Sequence, residues 1–365
     1  YTFRNGIDNV IALLHSLDIK KYETVIVIPI TVAPCACQSM WDYIKTLPNH
    51  IQKEYWTNLN VGIIYEENAG FIVKKMIEYK RFDRALDIIY HSSHKNVQFD
   101  TTIIEETIIG IIKASDSNLF SRMQYELAKV VYLLDKREDA NLQTLYSIEV
   151  LLYRLLEHHG NINDTKFIKE IMSNPESLME IIDKTFLSSD ENERAAEIEQ
   201  VKNDNSYALL GWHIFYTLRQ TPFVDSNNTI DEVALNNYID QLQTLGNAKH
   251  KIKGVNTVIG ELLGNYPETE DYPSIPICDI IERLNNKEVN NGFRTRLYNK
   301  RGVTVRPAYE GGTLEKNEAD KYKKYADKIR YTHPIVCSIF DDLSRDYYQI
   351  AKNEDIRVKI EKMEF

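Results

Sequence analysis

Ala69-Gly70-Phe71-Ile72-Val73-Lys74-Lys75-Met76-Ile77-Glu78, then Tyr79-Lys80-Arg81, then Phe82-Asp83-Arg84-Ala85-Leu86-Asp87-Ile88-Ile89, is the stretch on which the fold turns. Ala69, Phe71, Ile72, Val73, Met76 and Ile77 recur at the three-to-four-residue spacing of a helix face, and Phe82, Ala85, Leu86 and Ile89 resume it after a short basic interruption. Two helical faces joined by so short a turn predict an antiparallel helical hairpin.

The same spacing continues outward. Amphipathic segments are expected at Ile103–Ile112, Leu119–Leu134 and Leu145–Leu156, the last with Ile148, Leu151, Leu152, Leu155 and Leu156 on one stripe. Asn174-Pro175-Glu176 reads as a helix start, because Asn caps, Pro fits the first helical position and Glu suits the positive end of the dipole. Further helices are expected at Tyr207–Leu218, Ile230–Leu245, Val255–Leu263, from Ser274 through Leu284, at Leu314–Ile329 and at Ile335–Ala351. Thr332-His333-Pro334 sits where the cap of the last of these belongs, and a short helix is expected after Asn353. Only 14 Gly and 10 Pro occur in 365 residues, concentrated in a few places, which favours helix over sheet. Val25-Ile26-Val27-Ile28 is the exception and suits a short helix or one strand.

The expected architecture is therefore all-α: antiparallel helical hairpins in an α-solenoid-like array over residues 1–187 and a second helical unit over 206–365 with a C-terminal helical cap. Between them, Ser188 to Asn205 is dominated by Asp, Glu, Asn and Ser and reads as an acidic linker or exposed helix. Gly292, Gly302, Pro307, Gly311 and Gly312 mark 292–313 as an irregular, basic, glycine-rich loop. The 69–89 hairpin resembles one unit of a tetratricopeptide- or HEAT-like repeat, without the 34-residue period of the former.

Composition excludes several classes of function. No apolar run approaches the roughly 18 residues a membrane helix needs, so no membrane partner is expected. Four cysteines, Cys35, Cys37, Cys278 and Cys337, are too few for a disulfide scaffold and suit a reducing, cytoplasmic setting. The opening Tyr1-Thr2-Phe3-Arg4 has no signal-peptide character and reads as the continuation of a longer chain. A net charge of −10 argues against general nucleic-acid binding, although residues 286–365 hold 17 Lys/Arg against 13 Asp/Glu.

Candidate chemistry is sparse. Cys35-Ala36-Cys37 lacks the two further ligands that zinc requires. His91 and His94 share a helix face near Glu105, but two imidazoles at a helix C-terminus are explained by its dipole, as are His158 and His159 before Gly160. No phosphate-binding glycine loop or nucleophile elbow is present, so no catalytic residue, metal or cofactor is assigned. Trp41, Trp56 and Trp212 are aromatic anchors, most of the aromatic set being core and an exposed minority a recognition surface.

Residues 292–307 differ in kind, carrying Arg294, Arg296, Lys300, Arg301 and Arg306 without one acid. With Asn299, these are the candidate binding residues: guanidinium forks for a carboxylate, phosphate or acidic protein surface. The competing reading is that they pair with acids within the chain.

Cys278-Asp279-Ile280-Ile281, Asn291-Gly292-Phe293, Asn299-Lys300-Arg301-Gly302-Val303-Thr304, Gly311-Gly312, Tyr322-x2-Tyr325-Ala326 and Asp346-Tyr347-x3-Ala351 resemble the helical C-terminal region of large bacterial multidomain proteins. The architecture is similar to the sensor half of STAND-type antiphage proteins, in which an effector and a nucleotide-hydrolysing domain precede a helical array. The resemblance implies a non-catalytic protein-recognition or sensor module whose partner is another protein or another domain of its parent. A phosphate-handling enzyme domain and a nucleic-acid-binding module are the alternatives.

Overall fold

The structure is a computed structural model that describes residues 11, 12, 16, 38–59, 66–114, 117–302, 307 and 310–361. Val25–Ile28, the Cys35/Cys37 pair and Arg306 lie outside the described residues. Among those described there are nineteen α-helices and no strand, only an isolated bridge between Val224 and Ile230. No described helix is long and apolar enough to cross a membrane. The chain divides into two compact units, residues 1–167 and 168–365.

The first unit contains α1 (Gln38–Thr46), α2 (Asn49–Asn58), α3 (Glu66–Glu78), α4 (Phe82–Ser93), α5 (Thr101–Ala114), α6 (Ser117–Arg122), α7 (Gln124–Asp135), α8 (Leu142–Leu151) and α9 (Tyr153–His159). Helices α3 and α4 form where their periodicity requires and pack on each other, with Ala69, Ile72, Val73, Met76, Ala85, Leu86 and Ile89 all buried. The turn between them is closed by Lys80 in the left-handed region (φ 58°), with the Arg81 amide donating to Met76 O and the Lys80 amide to Ile77 O. Arg81 then donates its guanidinium to Trp56 O at 3.0 Å and Leu59 O at 2.6 Å, satisfying the open end of α2. Trp41 and Trp56 both pack on Phe71 from within the core.

Two expected single helices are broken. Leu119–Leu134 divides at Met123 into α6 and α7, and Leu145–Leu156 divides at Leu152 into α8 and α9. The break turns Leu151 out of the stripe to 54% exposure while Leu152 and Leu156 stay buried.

The second unit begins within α10 (Lys166–Ser173) and continues through α11 (Pro175–Thr185), α12 (Glu191–Asn203), α13 (Ser206–Thr217), α14 (Glu232–Ala248), α15 (Ile252–Gly264), α16 (Ile275–Leu284), α17 (Lys287–Lys300), α18 (Thr313–Ile329) and α19 (Pro334–Glu361). Asn174 caps α11 by accepting from the Glu176 amide, with Pro175 at its first turn. The unit boundary falls ahead of the expected 188–205 because α11 belongs with the helices C-terminal to it. It packs on α13, α14 and α15, burying Leu178, Met179 and Ile182.

The expected loop at 292–313 is helical through Lys300. Asn286 caps α17 through the Glu288 and Val289 amides, and the glycine taken as irregular is a crossing point. A Cβ at Gly292 would lie 2.2 Å from Thr257 O, and one at Gly260 would lie 2.1 Å from Val289 O. The two glycines let the backbones of α15 and α17 touch, so their pattern signalled close packing.

The C-terminus differs as well. One 28-residue helix, α19, replaces the expected two, and its first turn is capped by Glu282, whose Oε1 accepts from the Ile335 and Val336 amides. His333 stands in the cap position as expected, its carbonyl accepting from the Cys337 amide at 2.9 Å, while its ring contacts Asp279 at 2.9 Å.

Candidate functional site

Because successive helical residues point about 100° apart, a cationic run on a helix scatters instead of converging. That is the fate of the candidate set. Arg296 is buried; its Nη1 donates to Tyr216 O at 2.9 Å and its Nε to Asn265 Oδ1. Lys300 donates to Tyr266 O at 2.5 Å, and burial pulls its ammonium below the ordinary lysine range. Arg301 donates to Glu315 Oε1 at 2.8 Å, with its guanidinium 5.5 Å from the centre of the Tyr347 ring. Burial opposes the Arg301 charge, but the Glu315 hydrogen bond offsets this and holds its pKa above the ordinary value. Arg294 points the other way, half exposed and paired with Asp346 across an open groove of about 490 Å³ that Tyr298, Leu343 and Ile350 also line. Asn299 is exposed. The described members are thus divided among three environments, and Arg296, Lys300 and Arg301 donate to groups within the chain.

The same division holds for the histidines. His91 lies 3.2 Å from Asp87, whereas Glu105 accepts from the Asn141 amide. Among the described residues no group of three or more His, Cys, Asp or Glu is placed to hold a metal ion.

What the structure does bring together is an aromatic surface on α13. Gly211 seats this helix on α11, since a Cβ there would lie 1.8 Å from Thr185 Oγ1. Ile214, Phe215 and Thr217 are buried on the same side. The opposite face carries Leu209, Trp212 and Tyr216, at i, i+3 and i+7, which are 51%, 46% and 59% exposed. Leu187 and Val201 are further exposed apolar residues of the neighbouring segments, and Tyr207 stands at the start of the helix beneath Lys184, 5.5 Å from its ring centre. Contiguous exposed apolar area of this kind marks an interaction site far more reliably than single exposed side chains do.

The surface is held firmly from below. Phe186 packs its ring against Trp212, with centroids 4.8 Å apart, and its carbonyl accepts from Lys251 Nζ at 2.6 Å. Lys251, itself buried, also donates to Glu197 of α12 at 2.6 Å and to Asp183 O at 3.1 Å. Glu193 adds contacts to Ser188 Oγ and His250. One buried cation thereby ties the acidic helix α12, which has no buried residue of its own, to the carbonyl of Phe186, whose ring packs on Trp212. Sequence reasoning placed Trp212 among the aromatic anchors but gave no sign of Lys251.

Comparison of the chain with protein-family models, with curated proteins and with solved structures finds no significant match to any of them.

Proposed function

We propose that the chain is a non-catalytic protein-recognition module and that the Leu209–Trp212–Tyr216 face of α13 is its contact surface. The observation that carries the reading is a tryptophan 46% exposed between two other large apolar side chains on one helix face. Trp and Tyr dominate binding energy at protein interfaces, and a buried anchor there is worth about 2 kcal/mol or more on truncation. In keeping with the resemblance of its C-terminal region, we place the module in the sensor part of a larger bacterial protein of the antiphage kind, its hairpins forming an α-solenoid-like array. The phosphate-handling and nucleic-acid readings have less support, because Arg296, Lys300 and Arg301 already donate within the chain.

A photo-crosslinking residue at position 212, in the full parent protein in its own cells, tests this reading. A reproducible crosslink to one protein, absent when the residue stands at the fully exposed Tyr331 instead, is the expected result. Equal, diffuse labelling from both positions overturns the assignment of the surface.

A further inference from the structure

The charges around the aromatic face point to the partner, and this inference rests on the proposed recognition role of α13. Residues 174–220, which supply α11, α12 and α13, hold nine Asp/Glu against four Lys/Arg. Their balance of −5 is half the net charge of −10 for the whole chain in 47 of its 365 residues. Lys249 and Lys251, which reach in to Asp183 and Glu197, reduce that balance to −3. Glu180, Glu191, Glu199 and Asp204 remain exposed, Glu199 bridged to Lys202 at 2.7 Å. Asp204 stands at the head of α13, where its carboxylate accepts from the Ser206 amide, and Glu180 lies one turn before Lys184 at the Tyr207 end. Opposing this, Lys184 and Arg219 lie over the Tyr207 and Tyr216 rings. With Arg194 and Lys202 of α12 these are the four cations of the segment, against nine carboxylates.

The apolar stripe is short and straight. From Leu209 to Tyr216 a helix rises about 10 Å, the length over which two turns of a partner helix can lay one apolar ridge. We propose that this surface receives a basic amphipathic helix of a partner protein: apolar residues at helical spacing against Leu209, Trp212 and Tyr216, and Lys or Arg toward the carboxylates of α11 and α12. The apolar contact supplies affinity, while the acidic surround selects the sign of the partner.

Three synthetic peptides of about 12 residues test this, sharing one leucine face and carrying Lys, Gln or Glu elsewhere. Trp41 and Trp56 are 1% and 3% exposed, so quenching and shift of the accessible tryptophan emission report on Trp212. The Lys peptide should bind about ten-fold or more tightly than the Glu peptide at low salt, and the preference should shrink at high salt. Glu180→Gln, Glu191→Gln and Glu199→Gln together should reduce that preference without lowering the melting temperature. Trp212→Ala with Leu209→Ala, read by the anisotropy of dye-labelled peptides because the tryptophan reporter is gone, should abolish binding of all three. Equal or tighter binding of the Glu peptide overturns the proposal, as does Lys-peptide binding that survives the loss of Trp212 and Leu209. A crosslink from position 212 that the Glu peptide alone displaces would refute the basic partner and leave the recognition surface standing; absence of any specific crosslink would remove both.

Discussion

Arg301 and Arg294 sit in one cationic run yet are expected to answer substitution differently. The Arg301 and Glu315 side chains are 15% and 1% exposed, so Arg301→Ala takes the guanidinium away from a buried carboxylate and should cost about 3–5 kcal/mol in chemical denaturation. Arg294 and Asp346 are 42% and 43% exposed, and Arg294→Ala should cost about 1 kcal/mol or less. Equal small losses would mean that Arg301 is not structural. Glu149 makes a second prediction at this scale. It is fully buried beside Asp135, and the two carboxyls accept from the Phe167 and Lys166 amides, each at 2.8 Å. Burial, then the Asp135 hydrogen bond, pushes the Glu149 pKa up to about 8 from an ordinary 4.5. The folded chain therefore holds a proton that the unfolded chain releases, so this contribution to stability is complete below 4.5 and falls as pH rises toward about 8. The denaturation midpoint should decline between about pH 6 and pH 8, and Glu149→Gln, which carries no charge at any pH, should flatten that decline. An unchanged slope in the variant would place the titration elsewhere.

Helices were legible wherever one face was apolar and the other polar, as in α3, α4 and α11. They were misread where a residue type serves two purposes. Gly292 inside a basic run reads as a loop, because glycine in a helix normally costs about 1 kcal/mol, and only the facing Gly260 and the Thr257 carbonyl reveal a crossing. The aromatic surface was hidden for a related reason. Ser-Tyr-Ala-Leu-Leu-Gly-Trp-His-Ile-Phe-Tyr-Thr is apolar nearly all round, which signals burial and marks no outward side. Lys251 was invisible because its partners Asp183, Phe186 and Glu197 come from far along the chain. The glycines give an element-scale test. Gly70, in the interior of α3, has nothing within 4 Å of the position a Cβ would take, so Gly70→Ala should stabilise by about 1 kcal/mol. Gly292→Ala has the same helical advantage but drives a methyl into the Thr257 carbonyl, and should destabilise by about 1–3 kcal/mol or more. Urea midpoints moving the same way for both would show that the α15–α17 crossing has room for a methyl group.

At the scale of the whole molecule, the sequence placed the division in the stretch of lowest apolar content, 188–205, on the premise that a segment with nothing to bury joins two bodies. The stretch is an exposed helix, α12, one of the two readings its composition allowed, and it is held by hydrogen bonds instead of burial, through Glu197 and Glu193 to Lys251, Ser188 and His250. Fragments distinguish the two divisions. One beginning at Ile168 retains α11, with Leu178, Met179 and Ile182 under α13, α14 and α15, and retains the Ile171 carbonyl that accepts from Tyr238 at 2.5 Å. It should give a helical circular dichroism spectrum and one cooperative melt. A fragment beginning at Ser206 loses all of these and leaves Lys251, 2% exposed in the intact chain, without Asp183, Phe186 or Glu197. Three buried apolar side chains at about 1.5–3 kcal/mol each already consume most of a typical stability of about 5–15 kcal/mol, before the stranded cation is counted. The shorter fragment should therefore aggregate or melt without cooperativity, and the proposed recognition face on α13, deprived of its seat on Thr185, should lose peptide binding with it. Cooperative melting of the fragment from Ser206, with the fragment from Ile168 no more stable, would restore the boundary to 188–205.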